Sequence, residues 1–227
     1  MNLSLILASK SSRRRELLAQ LGYQFSCENA DVDEGILTAE KPKDYVQRVA
    51  IEKTQAIFEK ITASNNANNR IILAADTSVV VDDVILGKPI DFVDFKRMFQ
   101  LLSNRDHQVL TAIVVCKNGQ IKSTVVVTKV FFKPITDNEM AAYWQSGEPQ
   151  DKAGGYGIQG LAGQFISHIQ GSYSAVVGLP LYETVQLLSE FGLKNPMLLS
   201  CRSSSKARST TSDKTNTNDE QNIRSVQ

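Results

Sequence analysis

Between Ile71 and Val81 the chain is almost wholly apolar and largely β-branched, yet Asp76-Thr77-Ser78 stands in the middle of the run. Ile71–Ala75 and Val79–Val81 have the composition of buried strands. A carboxylate set into a buried strand pair is costly unless a cation or hydrogen bonds satisfy it. Two roles fit Asp76: a turn residue that caps a strand end, or a buried acid suited to general-base work. The rival acidic pair, Asp82-Asp83, precedes Val84 where a hairpin tip is expected, so Asp76 is the favoured candidate.

Around this stretch the pattern alternates strands and helices. Leu3–Ala8 and Tyr23–Glu28 read as strands, and Ser11–Leu21 as a helix ending at Gly22. Pro42–Lys60 carries Tyr45, Val46, Val49, Ala50, Ala56 and Ile57 at helical spacing. A helix is expected over Asp91–Leu102. Gln108–Cys116 and Ile121–Phe132 flank Asn118-Gly119, a strong hairpin signal. Thr136 and Glu139 form a capping box for a helix through Trp144. Gln164–Ile169 reads as a strand and Pro180–Phe191 as a closing helix, with Gly192 past its end. The hairpin makes part of the sheet antiparallel, so the expected fold is α/β: a mixed, partly antiparallel sheet flanked by helices.

Length, charge and cysteine usage narrow the setting. A chain of 227 residues with 42% apolar content suits one globular domain, here taken as 1–199. The net charge of +1 lacks the basic excess of a protein that lives on nucleic acid. No segment reaches the ~18 apolar residues of a membrane span, and Met1–Ala8 reads as a strand rather than a signal peptide. Cys27, Cys116 and Cys201 are widely spaced and odd in number, which fits reduced thiols in a cytoplasmic protein. From Ser203 to Asn222 the only apolar residue is Ala207. Such a segment buries too little to offset its ordering entropy, so 200–227 is expected to be a disordered polar tail.

Further chemistry-bearing stretches stand out. Ala8-Ser9-Lys10-Ser11-Ser12-Arg13-Arg14-Arg15 lies where a strand ends and a helix begins, a natural anion site. The helix dipole disfavours three arginines in the first turn by roughly 0.3–1 kcal/mol each, and a bound phosphate chain would reverse that penalty. A solvated basic turn is the plainer alternative. Lys53 falls inside the apolar stripe of its helix, where a lysine either snorkels to the rim or reaches an anion. Lys88 stands in a Gly87-Lys88-Pro89 turn. Gly155 to Gly160 matches G-x-G-x-x-G, but no strand precedes it and no helix opens in it, so the dinucleotide reading fails. Its glycines still imply close backbone approach to a ligand or to a crossing strand. His107 and His168, without clustered cysteines, give no convincing zinc site.

Taken in order, these stretches resemble the Maf family of nucleotide pyrophosphatases over roughly residues 3–192. The matching segments are Ala8–Arg14, Glu52-Lys53, Ala75-Asp76-Thr77, Gly87-Lys88-Pro89, the Gly147–Gly160 loop, and Gly171-Ser172-Tyr173 through Gly178-Leu179-Pro180-Leu181. The loop with Asp151-Lys152-Ala153-Gly154 and Tyr156-Gly157-Ile158-Gln159-Gly160 is similar to the branch acting on dTTP and UTP. The resemblance implies the Maf or inosine-triphosphatase-like fold, with two lobes and a cleft, often as a homodimer. It implies a nucleoside triphosphate substrate cut to the monophosphate and pyrophosphate, with Mg²⁺ or Mn²⁺ as cofactor. Asp76 would be the proton acceptor, and Arg13, Thr77 and Gln159 the specificity positions. Ser9, Ser11, Lys53 and Lys88 would help to bind the substrate, and Glu34 would be a carboxylate ligand for the metal.

Two departures stand in the matching segments. Ser12 occupies a position where the family usually has proline, and Gly155 one where alanine is common. Both imply slightly looser loops rather than loss of activity. Two alternative functions are a 7-methyl-GTP pyrophosphatase, against which the Gln159 loop argues, and a non-catalytic nucleotide-binding regulator of cell division.

Overall fold

The computed structural model describes residues 3–64 and 69–197; the tail expected over 200–227 lies outside them. Along the chain come β1 (Ser4–Ala8), α1 (Ser12–Gln20), β2 (Phe25–Glu28), α2 (Pro42–Ala63), β3 (Arg70–Val81) and β4 (Val84–Leu86). There follow α3 (Phe92–Leu102), β5 (Asp106–Lys117), β6 (Gln120–Phe132) and α4 (Asp137–Gln145). Three 3-10 turns, Glu148–Asp151, Ala153–Gly155 and Leu161–Phe165, lead into β7 (Ile166–Gln170), α5 (Tyr173–Val177) and α6 (Leu181–Glu190). No described helix is long and apolar enough to cross a membrane.

The seven strands form one mixed sheet in the order β2-β1-β3-β5-β6-β7, with β4 also on β3. β1 pairs in parallel with β2 and β3, and the remaining pairs are antiparallel. The hairpin signals act as their chemistry requires. Asn118 and Gly119 have φ of 51° and 81°, and Asp82 and Asp83 have 49° and 61°, the left-handed pair of a two-residue turn between strands. The capping box of Thr136 and Glu139 also forms.

Ile71–Ala75 and Val79–Val81 are not two strands; Asp76-Thr77-Ser78 continues a single strand of 12 residues. Asp76 faces Ala112 and Thr77 faces Thr111 across the ladder with β5. The strand tolerates Asp76 and Thr77 because side-chain partners on its two faces, Lys53 and Thr111, meet them.

Alternation along β3 distributes its side chains between those faces. Ile72, Ala74 and Val80 point to α2, whose Val46, Val49, Ala50 and Ile57 cover them in two small clusters. Ile71, Leu73 and Ala75 point the other way, into a cluster with Leu17, Leu18, Leu179 and Leu188. Val79 and Val81 join a second cluster on that side, with Phe95, Phe99, Phe132, Tyr143 and Phe165. These two clusters are the cores of two lobes, and Thr77 and Thr111 mark the level at which they part.

The edge of β3 has a gap at the same level. β1 pairs with residues 70–74, ending at Ala8–Ala74, and β4 pairs with 79–81. Residues 75–78 therefore have β5 on one side and no strand on the other. Ser9–Ser11 leave the end of β1, and Gly87-Lys88 leave the end of β4, on opposite sides of that gap.

Candidate active site

The gap opens into a cleft of about 810 Å³. All nine residues singled out in the sequence, Ser9, Ser11, Arg13, Glu34, Lys53, Asp76, Thr77, Lys88 and Gln159, line it.

On one wall the start of α1 is organised by serines. Ser11 is the N-cap, its hydroxyl accepting from Arg14 N at 3.4 Å. Ser9 Oγ accepts from Ser11 N at 3.2 Å and from Arg14 Nη1 at 3.4 Å. Arg14 turns inward, donating from Nε to Gly178 O at 2.8 Å and from Nη2 to Thr77 Oγ1 at 3.1 Å. Thr77 Oγ1 also lies 3.1 Å from Thr111 Oγ1, which is tied to Ala175 O at 2.7 Å. Burial lowers the Arg14 pKa and Asp76 opposes that shift; a guanidinium stays charged regardless. Arg13 remains at the rim, 3.9 Å from Asp151.

On the α2 side the central feature is a buried ion pair. Lys53 Nζ lies 2.8 Å from Asp76 Oδ1, with 8% and 7% of the two residues exposed. Lys53 does not snorkel to the rim. It sits between the two apolar clusters of the α2 face, where Asp76 interrupts β3. Lys53 Nζ also pairs with Glu34 Oε1 at 2.6 Å, so the two carboxylates share one ammonium. Glu34 belongs to the irregular segment between β2 and α2. Tyr45 holds its carbonyl at 2.9 Å, and Arg48 binds Gly35 O at 2.8 Å and the Glu40 carboxylate. Burial pushes the Glu34 carboxyl up, but the hydrogen bond and charge of Lys53, with Lys88 and Arg14, outweigh it and leave the pKa below the usual value.

The third wall is the loop after α4. Gly154 N donates to Gly87 O at 2.8 Å, which ties this loop to the Lys88 turn. Gly154, Gly155 and Gly160 approach protein rather than open space. At φ of 65° Gly154 would place a Cβ 2.9 Å from the Val79 side chain, and at 69° Gly155 would place one 3.0 Å from Phe95. An alanine at 155 would therefore be strained in this backbone. A Cβ at Gly160 would overlap the Glu148 carboxylate. Of the two explanations left open for this glycine-rich stretch, close packing on the fold accounts for these three. Gln159 is exposed at the cleft edge.

The histidines stand apart from this chemistry. His107 is buried, with Nε2 2.6 Å from Tyr156 OH, and His168 stacks on Phe131 at 3.8 Å between ring centres.

Residues 4–191 match the family described as Maf-like protein. The chain belongs to the Maf family. It is 52% identical over 189 residues to the dTTP/UTP pyrophosphatase of Pseudoalteromonas atlantica, covering 83% of this chain and 97% of that one. It is 53% identical over 190 residues to the dTTP/UTP pyrophosphatase of Vibrio parahaemolyticus, covering 84% and 98%. Among solved structures, the Staphylococcus aureus Ham1 protein is a partial likeness, 14% identical with a TM-score of 0.40 over 57% of this chain and 71% of that one.

Three cationic side chains in the cleft of this Maf chain, Lys10, Arg14 and Lys152, are not singled out by the sequence. Arg14 precedes the buried Leu17 and Leu18 by three and four residues. That spacing places it on the inward face of α1. Lys152 lines the cleft and donates to Glu148 O at 2.7 Å and Asp151 Oδ1 at 2.6 Å.

Among the described residues no group of three or more His, Cys, Asp or Glu side chains could hold a metal ion. A hard divalent ion in a phosphate-processing site is commonly held by one or two carboxylates plus phosphate oxygens. The carboxylates of Glu34 and Asp76, both bound to Lys53, fit that smaller donor set.

Proposed function

We propose that this Maf-family protein is a nucleoside triphosphate pyrophosphatase that hydrolyses dTTP and UTP to the monophosphate and pyrophosphate, clearing the nucleotide pool. The observation that carries the reading is the buried Asp76–Lys53 pair at the floor of a cleft walled by Arg13, Arg14, Lys88 and Lys152. The substrate choice comes from relatives of that name, half identical over nearly their whole length.

In this reading the α-phosphorus lies over the gap in the sheet edge. Asp76 orients a water and takes its proton as the water's oxygen bonds to that phosphorus. The bond to the bridging oxygen breaks, and pyrophosphate leaves. Lys53 balances the buried charge of Asp76 and holds the carboxylate in one orientation. Arg13, Arg14 and Lys88 neutralise the polyphosphate, and Ser9 and Ser11 shape the loop that receives it. Catalysis then rests on positioning and fixed charge. Glu34 is the residue that would hold a Mg²⁺ or Mn²⁺ ion alongside phosphate oxygens. When bound, that ion supplies Lewis-acid stabilisation of phosphoryl charge. Thr77 and Gln159 are the specificity positions. The Gln159 amide offers a donor and acceptors to the alternating edge of uracil or thymine, whereas Thr77 Oγ1 already bonds Arg14 and acts through it.

A cytoplasmic setting is part of the same proposal, in keeping with the free thiols of Cys27 and Cys116. So is assembly as a homodimer, which sedimentation would check. The decisive experiment is pyrophosphate release from a panel of triphosphates with Mg²⁺ or Mn²⁺. Rapid turnover of dTTP and UTP and slow turnover of purines is expected. Release of inorganic phosphate would move the cut to the γ-position. A preference for 7-methyl-GTP would replace the substrate choice, and binding without turnover would favour a regulator.

A further inference from the structure

We infer that Glu148 is a positioning residue for substrate selection: its carboxylate clips the Gly147–Gly160 loop into a ring and so fixes the turn that carries Gln159. The inference rests on the proposed reading of Gln159 as the side chain that meets the base.

Glu148 opens the first 3-10 turn of the loop, yet its carboxylate reaches the start of the third. It accepts from Leu161 N at 2.8 Å and Ala162 N at 3.5 Å. These are leading amides of the turn Leu161–Phe165, which its own carbonyls cannot satisfy. Gly160, the residue before them, brings no capping side chain. The clip is anchored in the core through Tyr143, whose hydroxyl donates to Glu148 Oε1 at 2.8 Å. The Tyr143 ring is packed 5.6 Å from Phe99 and 5.5 Å from Phe165, centre to centre. The backbone of Glu148 is bound as well, its carbonyl accepting from Lys152 Nζ at 2.7 Å.

Gln159 hangs from this clip. Gly160 N donates to Gly157 O at 3.0 Å, closing a tight turn over 157–160 with Gln159 near its tip. The turn is fixed at its far end by the Leu161 amide, two residues beyond Gln159. The carboxylate lies so close to Gly160 that any side chain there would overlap it. Glycine at 160 is thus a consequence of Glu148. A carboxylate lining a cleft for polyphosphate would by charge alone oppose binding. Here it is turned onto two amides and a hydroxyl, as a positioning role requires.

The test compares Glu148→Ala, Glu148→Gln, Gln159→Ala and the double variant Glu148→Ala/Gln159→Ala, by kcat/KM for dTTP, UTP, dGTP and ATP. Glu148→Ala is expected to lower the preference for dTTP and UTP over the purines by about tenfold or more, the scale for misplacement of a contact by a fraction of an ångström. Glu148→Gln should stay close to wild type, because its amide oxygen can accept from Leu161 while its nitrogen donates to the Tyr143 oxygen. The double variant should be no less selective than Gln159→Ala alone. Equal loss in Glu148→Gln and Glu148→Ala, tighter nucleotide binding in both, or additive losses in the double variant would each overturn the inference. If Glu148→Ala does not fold, Gly160→Ala displaces the carboxylate by another route; unchanged selectivity there would overturn the inference too. A wild-type protein that turns over neither dTTP nor UTP overturns the proposed function and this inference with it. A selective wild type with selectivity unchanged in Glu148→Ala overturns the inference alone.

Discussion

Replacing Asp76 with asparagine separates the part this carboxylate plays in the fold from its part in the chemistry. Asparagine is nearly isosteric, and its oxygen can still accept from Lys53 Nζ, now 2.8 Å from Asp76 Oδ1. Lys53 also keeps Glu34 at 2.6 Å, so no buried charge loses its last partner. The structural loss is the difference between a charge-assisted and a neutral hydrogen bond, about 1–2 kcal/mol. For a body of this size that corresponds to a fall in Tm of roughly 2–8 °C. The chemical loss is larger. A positioned general base contributes ~10²–10⁴ in rate, or about 3–5 kcal/mol of barrier, and asparagine cannot take the water's proton. Initial rates of pyrophosphate release from dTTP, with thermal melts on the same samples, measure both quantities. The expected outcome is a kcat at least a hundredfold lower in a protein that still melts cooperatively. A kcat within about threefold of wild type would refute the assignment of Asp76 as the base.

Three further outcomes follow from the same geometry. Lys53→Met strands the Asp76 carboxylate, 7% exposed, without its buried cation; urea unfolding should show a loss of about 3–5 kcal/mol, and a loss under ~1 kcal/mol would mean that Asp76 finds another partner. Burial lowers the His107 pKa from its ordinary 6.5 to about 4, so the unfolded chain takes up this proton first. Stability present above pH 6.5 is then lost as pH falls towards 4, by about 3 kcal/mol for this group, and His107→Gln should flatten that part of a urea titration between pH 7 and 4; an unchanged slope would refute the assignment. Truncation after Leu199 should leave Tm and turnover unaltered, since the family match ends at residue 191 and the chain beyond Leu199 is poor in apolar side chains; a drop of several degrees would show that the tail supports the body.

Much of the fold was legible because local chemistry and global architecture agree. Asn118-Gly119 and Asp82-Asp83 both produce left-handed turns. The capping box at Thr136 forms, and the stripe of α2 buries Tyr45, Val46, Val49, Ala50 and Ile57. What was not legible depends on distant partners. Leu161–Phe165, expected to begin a strand at Gln164, is a 3-10 turn whose leading amides are capped by Glu148. The short helix α5 is also set from afar, through Thr128, whose hydroxyl accepts from Ser172 N at 3.0 Å.

The site follows the same division, and β3 shows why. The sequence located the polar interruption at Asp76 but left open whether it ends a strand or lies buried within the strand pair. In fact β3 is continuous and its neighbour is missing: β1 stops opposite Ala74, and β4 begins opposite Val79. That gap makes one cleft out of two faces. In a fully paired sheet Asp76 and Thr77, as consecutive residues, would face opposite layers and serve different surroundings. With no strand alongside them, Lys53 reaches Asp76 from α2, Arg14 reaches Thr77 from α1, and both pairs open to the same space. The chain segments that leave β1 and β4, carrying Ser9–Arg14 and Lys88, are delivered to its two sides by the strand ends that create it. No periodicity along the chain encodes this arrangement, because it is set by the register between strands some sixty residues apart, and register is fixed by which apolar face each strand buries. Closing the gap by extending β1 would pair the backbone beside Asp76 and leave its carboxylate with Lys53 alone, a buried ion pair without access to a ligand.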